Sequence, residues 1–108
     1  MEFDFRLWIK VNNKKVFGHG PKELLVNVKK LGSLRQAAKS MNMSYSKAWT
    51  IIKNLENALG YKILNMQPGG SHGGGSTLTI EGEELLKKFL TLEEKLYEVL
   101  NIESKKIF

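Results

Sequence analysis

The chain has no cysteine in its 108 residues. That excludes disulfides and thiolate metal sites, and it suits a reducing compartment. Proline occurs only at Pro21 and Pro68, so little interrupts regular secondary structure. Histidine is limited to His19 and His72, which lie far apart in separate loops without an acidic neighbour of evident purpose. They form neither a metal-ligand cluster nor a nucleophile–base pair, and no serine stands on an elbow motif. No catalytic residue, cofactor or metal ion is therefore expected. No apolar run approaches the roughly 20 residues of a membrane helix. The opening MEFDFRLWIK carries early acids and no apolar stretch of the signal-peptide kind. The expectation is a cytoplasmic protein with no membrane partner.

Acidic residues are scarce in one part of the chain only. Residues 1–80 hold 12 Lys/Arg against 4 Asp/Glu, a charge of +8, whereas residues 81–108 hold 5 against 7, a charge of −2. A polyanion would be met by the first part and not the second. Composition is otherwise ordinary for a folded chain, 42% hydrophobic and 26% charged. The length suits one domain, or one domain with a long terminal helix.

Phe3, Phe5, Leu7, Ile9 and Val11 alternate with Asp4, Arg6, Trp8 and Lys10, the period of a half-buried strand. Asn12 to Lys15 is turn chemistry, and Val16-Phe17 begins a short return strand. Pro21 opens a helix whose inner face is Leu24, Leu25, Val28 and Leu31 and which Gly32 ends. Ser33 caps a second helix with Leu34, Ala37, Ala38 and Met41 inward. Asn42-Met43 turns the chain, and Ser44 caps a third helix. Its buried stripe is Ala48, Ile51, Ile52, Leu55 and Leu59, with Trp49 at the core margin and Gly60 as the stop. Tyr61–Met66 and Thr77–Ile80 read as strands around a glycine-rich loop, and Glu81 onward is helical to about Ser104.

Two short helices with small residues at their crossing and a tight turn between them form the pattern of a helix-turn-helix, spanning residues 33–59. Ala37-Ala38 supplies the close crossing, and Asn42-Met43-Ser44 the short turn. The outward flank of the second helix offers Ser44, Tyr45, Ser46, Lys47, Thr50, Lys53 and Asn54. Hydroxyls and amides suit base edges, and lysines suit phosphates. Ser33 and Arg35, at the start of the first helix, complete the candidate DNA contacts there. An ordinary helical hairpin with a solvated face would share this pattern, and the segment that follows separates the two readings. QPGGSHGGGST reads as the wing of a winged helix within residues 62–80, its bare backbone free to approach phosphates. Gly70, Ser71, His72, Gly73, Gly74 and Ser76 are the candidate contacts there. Gly69 and Gly74 have the spacing of a phosphate-binding loop, but Gly75 stands at the lysine position and a strand follows rather than a helix.

In the last helix, Leu85, Phe89, Leu92, Leu96 and Val99 recur at heptad spacing. With Phe3, Phe5 and Trp8 of the first strand they are the candidate dimer contacts.

The stretch GSLRQAAKSMNMSYSKAWTIIKNLE, followed by GGSHGGGSTLTIEGEELL, resembles the DNA-binding domain of the ModE family of molybdate-responsive regulators, which is related to the LysR-type winged helix. Ala37-Ala38-Lys39, the block Met43–Trp49, the glycine-rich wing and Glu81-Gly82 carry the likeness. The resemblance implies a homodimer on a palindromic double-stranded operator. It places the helix Ser44–Leu59 in the major groove, Gly70–Ser76 along the backbone, and dimer contacts on Phe3–Val11 and the last helix. Full-length members carry C-terminal molybdate-binding domains, which a chain ending at Phe108 is expected to lack. The small-molecule effector stays unassigned.

The reading is therefore an α+β winged helix-turn-helix, residues 1–80, with an N-terminal hairpin, and a C-terminal dimerisation helix, residues 81–108. Its expected function is sequence-specific DNA binding in transcriptional control. The alternative is a winged-helix protein-interaction module that reads no DNA.

Overall fold

The computed structural model describes residues 1–67 and 75–108. The chain enters through a hairpin of β1 (Ile9–Val11) and β2 (Lys14–Phe17), paired antiparallel. Asn12 and Asn13 make its two-residue turn, with φ of 50° and 65°. Two consecutive positive φ values match the right-handed twist of a hairpin, and asparagine is the non-glycine residue that tolerates them best. Lys14 and Lys15, read from sequence as turn, already belong to β2. The alternation over Phe3–Val11 yields a strand of only three residues. β2 is four residues long before the chain turns into a helix, so residues 3–8 have no partner strand. Of these, Phe3, Asp4 and Phe5 lie against the last helix.

Three helices follow: α1 (His19–Leu31), α2 (Leu34–Ser40) and α3 (Tyr45–Leu59). Their ends are fixed locally. Gly32 (φ 74°) and Gly60 (φ 81°) close α1 and α3 in the left-handed conformation, their N–H groups donating to Val28 O and Glu56 O at 2.8 Å each. The Ser33 hydroxyl accepts from Gln36 N, and the Ser44 hydroxyl from Lys47 N, both at 3.1 Å. Pro21 sits in the first turn of α1, where its missing N–H breaks no helical bond. β3 (Leu64–Met66) and β4 (Ser76–Leu78) form a second antiparallel pair. α4 (Ile80–Ile107) ends the chain; its 28 residues span about 42 Å.

The core gathers one face from each element: Phe17, Leu24, Leu25, Val28, Leu34, Ala37, Ala38, Ala48, Ile52, Leu55, Ile63, Leu64, Leu78, Leu86 and Phe89. Leu31, expected inward, is 45% exposed at the last turn of α1. The first third of α4 belongs to this core. Phe89 meets Phe17 edge-on at 4.9 Å between centroids. Gly82 lets α4 start against the strand region, since a Cβ there would lie 2.4 Å from Ile63 O. Thr79 secures the same corner: its hydroxyl accepts from Gly82 N (2.9 Å) and donates to Lys62 O (2.7 Å). Farther along α4, Phe5 packs on Tyr97 (4.5 Å) and Phe3 on Phe108 (4.8 Å). The Tyr97 hydroxyl donates to Asp4 Oδ1 at 2.9 Å. That bond and the Phe5 N–H, the larger influence, hold the Asp4 carboxyl below its usual range.

Candidate nucleic-acid interface

The crossing of α2 and α3 rests on Ala37 and Ala38, both buried, and Ala48, fully buried, which let the two helices approach closely. The turn between them is held by backbone bonds. Met41 N and Met43 N both donate to Ala38 O (3.0 and 2.9 Å), and Asn42, at φ 54°, donates to Lys39 O (3.1 Å). These bonds fix the angle at which α3 leaves the domain. With Ala48, Ile52 and Leu55 sunk in the core, helical geometry turns the opposite face outward. Ser44, Ser46, Lys47, Thr50 and Asn54 are exposed there, and Tyr45 is half-buried. Arg35, exposed on α2, lies over the Tyr45 ring with its guanidinium carbon 4.3 Å from the centroid. This joins the first turns of the two helices by side chains. Ser33, also half-buried, is committed to its cap.

Charge is disposed the same way. None of α1, α2 and α3 has an acidic residue in its first turn, whereas α4 has Glu81 and Glu83. The positive ends of α2 and α3 thus carry a serine cap and no acid of their own.

Trp49 departs from the core-margin position read from sequence, and Lys53 has a partner within the chain. Trp49 is 45% exposed rather than packed in the core margin. Lys53 is half-buried, with its ammonium 3.2 Å from Glu56 Oε1 and 5.3 Å from the Trp49 ring centroid. Glu56 is the group sequence reasoning missed. It is 9% exposed, and its Oε2 accepts from the backbone N–H of Ile63 (2.8 Å) and Leu64 (3.3 Å). Burial opposes its charge, but the two N–H donors and Lys53 outweigh burial and hold its carboxyl below the usual range. Glu56 thereby fastens α3 to the base of the β3–β4 hairpin. A signal existed: Glu56 is the only acid between Glu23 and Glu81.

The wing divides. Gly70, Ser71, His72, Gly73 and Gly74 lie outside the described residues. Ser76 is described, and the expectation of a DNA contact there is corrected: it is 3% exposed. Its N–H donates to Gly32 O (2.9 Å), and its hydroxyl accepts from Leu34 N (3.2 Å). Both bonds are spent on tying the wing base to the α1–α2 junction.

The dimer set divides too. Phe89 is 3% exposed in its own domain, so it is corrected from a dimer contact to a core residue. Leu85 is half-buried against the same core, and Leu96 is half-buried farther out. Leu92 (48%) and Val99 (56%) are open. Trp8, 38% exposed, covers Gly18 so closely that a Cβ there would meet its ring, and Lys15 lies 4.7 Å over it. Phe3 and Phe5 spend part of their surface on α4. No helix among the described residues is long and apolar enough to cross a membrane.

Comparison with known proteins bears on this arrangement. Molybdenum-pterin-binding protein MopB of Rhodobacter capsulatus is 32% identical over 78 residues, 72% of this chain and 29% of that protein. The transcriptional regulator ModE of Haemophilus influenzae is 34% identical over 84 residues, 75% of this chain and 33% of that protein. The DNA-binding transcriptional dual regulator ModE of Escherichia coli is 27% identical over 104 residues, 94% of this chain and 40% of that protein. The chain thus spans about a third of the length of these curated relatives. Among solved structures, that of a CbnR_DBD–DNA complex superposes with a TM-score of 0.54 at 22% identity, covering 81% of this chain and 90% of that one. That likeness establishes the winged helix-turn-helix fold, α+β with a long last helix. The family model of bacterial regulatory helix-turn-helix proteins, lysR family, matches residues 23–83, from within α1 to the first turn of α4. It takes in the whole α2–turn–α3 unit and its wing, and the chain belongs to that family.

Proposed function

We propose that this chain is a transcriptional regulator that binds double-stranded DNA sequence-specifically, as a homodimer on a palindromic operator. The observation that carries the reading is the outward face of α3. A buried aliphatic stripe holds the helix, a tight turn sets its angle, and Ser46, Lys47, Thr50 and Asn54 stand exposed, with Arg35 of α2 over Tyr45 at the first turn. Such a rod fits the major groove, with polar side chains at base edges and cations at phosphates. In this reading Lys47 and Arg35 hold the backbone, while Ser46, Thr50 and Asn54 meet bases. Lys53, occupied by Glu56, serves as a support. The relatives named as transcriptional regulators support the same direction.

Dimerisation falls to the outer part of α4, where Leu92 and Val99 lie seven residues apart and exposed, with Leu96 between them. Two copies joined there set half-sites about one helical turn apart, ~34 Å. A regulator of this kind works beside the chromosome, in the cytoplasm, and performs no chemistry of its own.

The test is Lys47→Glu. On a duplex selected from random DNA, binding weakens and the salt dependence becomes shallower by about 2 log–log units, one phosphate contact per half-site. Unaltered affinity and slope would place the DNA contact away from this face of α3, and failure to select any duplex would favour an assembly module that uses the apolar outer face of α4.

A further inference from the structure

We infer that Trp49 is a specificity-determining residue that reads the C5-methyl group of a thymine in each half-site. The inference rests on the DNA-binding reading above and extends it to a base and an atom.

The core does not need this side chain. Trp49 lies outside the buried cluster and leaves 45% of its surface open, on the helix whose other large apolar residues turn inward. Nor is it loose. Tyr45, Trp49, Lys53 and Glu56 follow at spacings of four, four and three, so they share one flank of α3. Along that flank each group is held by the next. Lys53 lies 5.3 Å over the Trp49 ring, its ammonium is 3.2 Å from Glu56, and Glu56 is bonded to the backbone of Ile63 and Leu64. The indole is thus propped by a chain of contacts that ends at the base of the wing. Pre-organisation of this kind lowers the entropic cost of using an aromatic side chain at an interface.

The position is beside the polar face. Ser46 is three residues before Trp49 and Thr50 directly after it, both exposed. Those neighbours supply hydroxyls, and Lys47 supplies a charge, but none offers an apolar surface of comparable size. The major groove presents one apolar group, the thymine methyl, and apolar side chains are the ones that recognise it. Lys53 cannot take that role, since its charge is held by Glu56 and its place is over the indole.

The experiment replaces each thymine of the selected duplex by deoxyuridine, which removes the methyl and leaves base pairing intact. Burying one methyl-sized group corresponds to about fourfold in affinity, so a symmetric pair of replacements costs about fifteenfold. The expected result is one such symmetric position that weakens the natural protein by that factor. In Trp49→Ala the same replacement has no effect, and in Trp49→Phe it keeps part of its effect. In a Trp8→Phe background, the remaining indole emission shifts on addition of the normal duplex, and less on the deoxyuridine duplex. Indifference of the natural protein to deoxyuridine at every thymine overturns the inference, whatever the variants do. So does an equal penalty in the natural protein and in Trp49→Ala. Tight, salt-sensitive binding of the natural protein to the thymine duplex in those cases leaves the DNA-binding reading standing. Failure to bind any selected duplex removes both.

Discussion

Replacing Glu56 by alanine tests how the wing is joined to the recognition helix. The carboxylate serves two backbone donors, Ile63 N at 2.8 Å and Leu64 N at 3.3 Å, on residues that are themselves 0% and 2% exposed. Without it, both donors are left unpaired away from water, at about 1–3 kcal/mol each. Part of that is offset, because burying the charge was itself unfavourable and Lys53 returns to solvent. A net loss of about 2–4 kcal/mol follows. For a domain of this size that lowers the midpoint of thermal unfolding by roughly 10–25 °C. Circular dichroism against temperature is the assay, with Glu56→Gln, which keeps one acceptor oxygen, expected between the two. The pH dependence has a definite sign. The folded carboxyl titrates below the ordinary glutamate range, so the unfolded chain takes up the proton first as pH falls. The charged form's stabilisation is complete above pH ~4.5 and is lost as pH drops through the folded value. The gap between the natural protein and Glu56→Ala therefore narrows in acid. A midpoint within 3 °C of the natural one at neutral pH, or a gap unchanged at pH 3, would refute the reasoning.

Two further substitutions address the frame. Gly82→Ala places a Cβ 2.4 Å from the Ile63 carbonyl oxygen, which is backbone and yields little; a loss of about 1–3 kcal/mol is expected in urea unfolding, and an unchanged midpoint would show that α4 shifts freely. Leu92→Glu with Val99→Glu puts acids on the exposed outer part of α4; sedimentation equilibrium is expected to report monomers with unaltered helicity, and a persisting dimer would place the interface elsewhere.

What could be read from sequence was what the chain settles locally. Ser33 and Ser44 cap their helices and Gly32 and Gly60 stop theirs because a cap involves residues three or four apart. The aliphatic stripe of α3 was legible for the same reason: period 3.6 states which residues share a face. Period does not state what covers a face. Phe89 has the spacing of a dimer seam, yet Phe17, 72 residues earlier, covers it. Ser76 reads as a loop polar residue, and only the approach of the wing base to Gly32 and Leu34 makes it a buried bridge. The joint placement of Lys53 and Trp49 beside Glu56 was not legible either. Their environment is decided by Glu56, whose partners Ile63 and Leu64 lie beyond the helix end. The N-terminal alternation promised a longer strand than its four-residue partner could pair.

The claim that joins these findings is that the outward face of α3, on two copies at once, meets the phosphates and bases of a duplex. Fluorescence anisotropy on the selected operator, titrated across salt concentration, measures it most directly. A dimer touching several phosphates per half-site gives a log–log slope on the order of −5 or steeper. A slope near zero on that duplex would contradict the account.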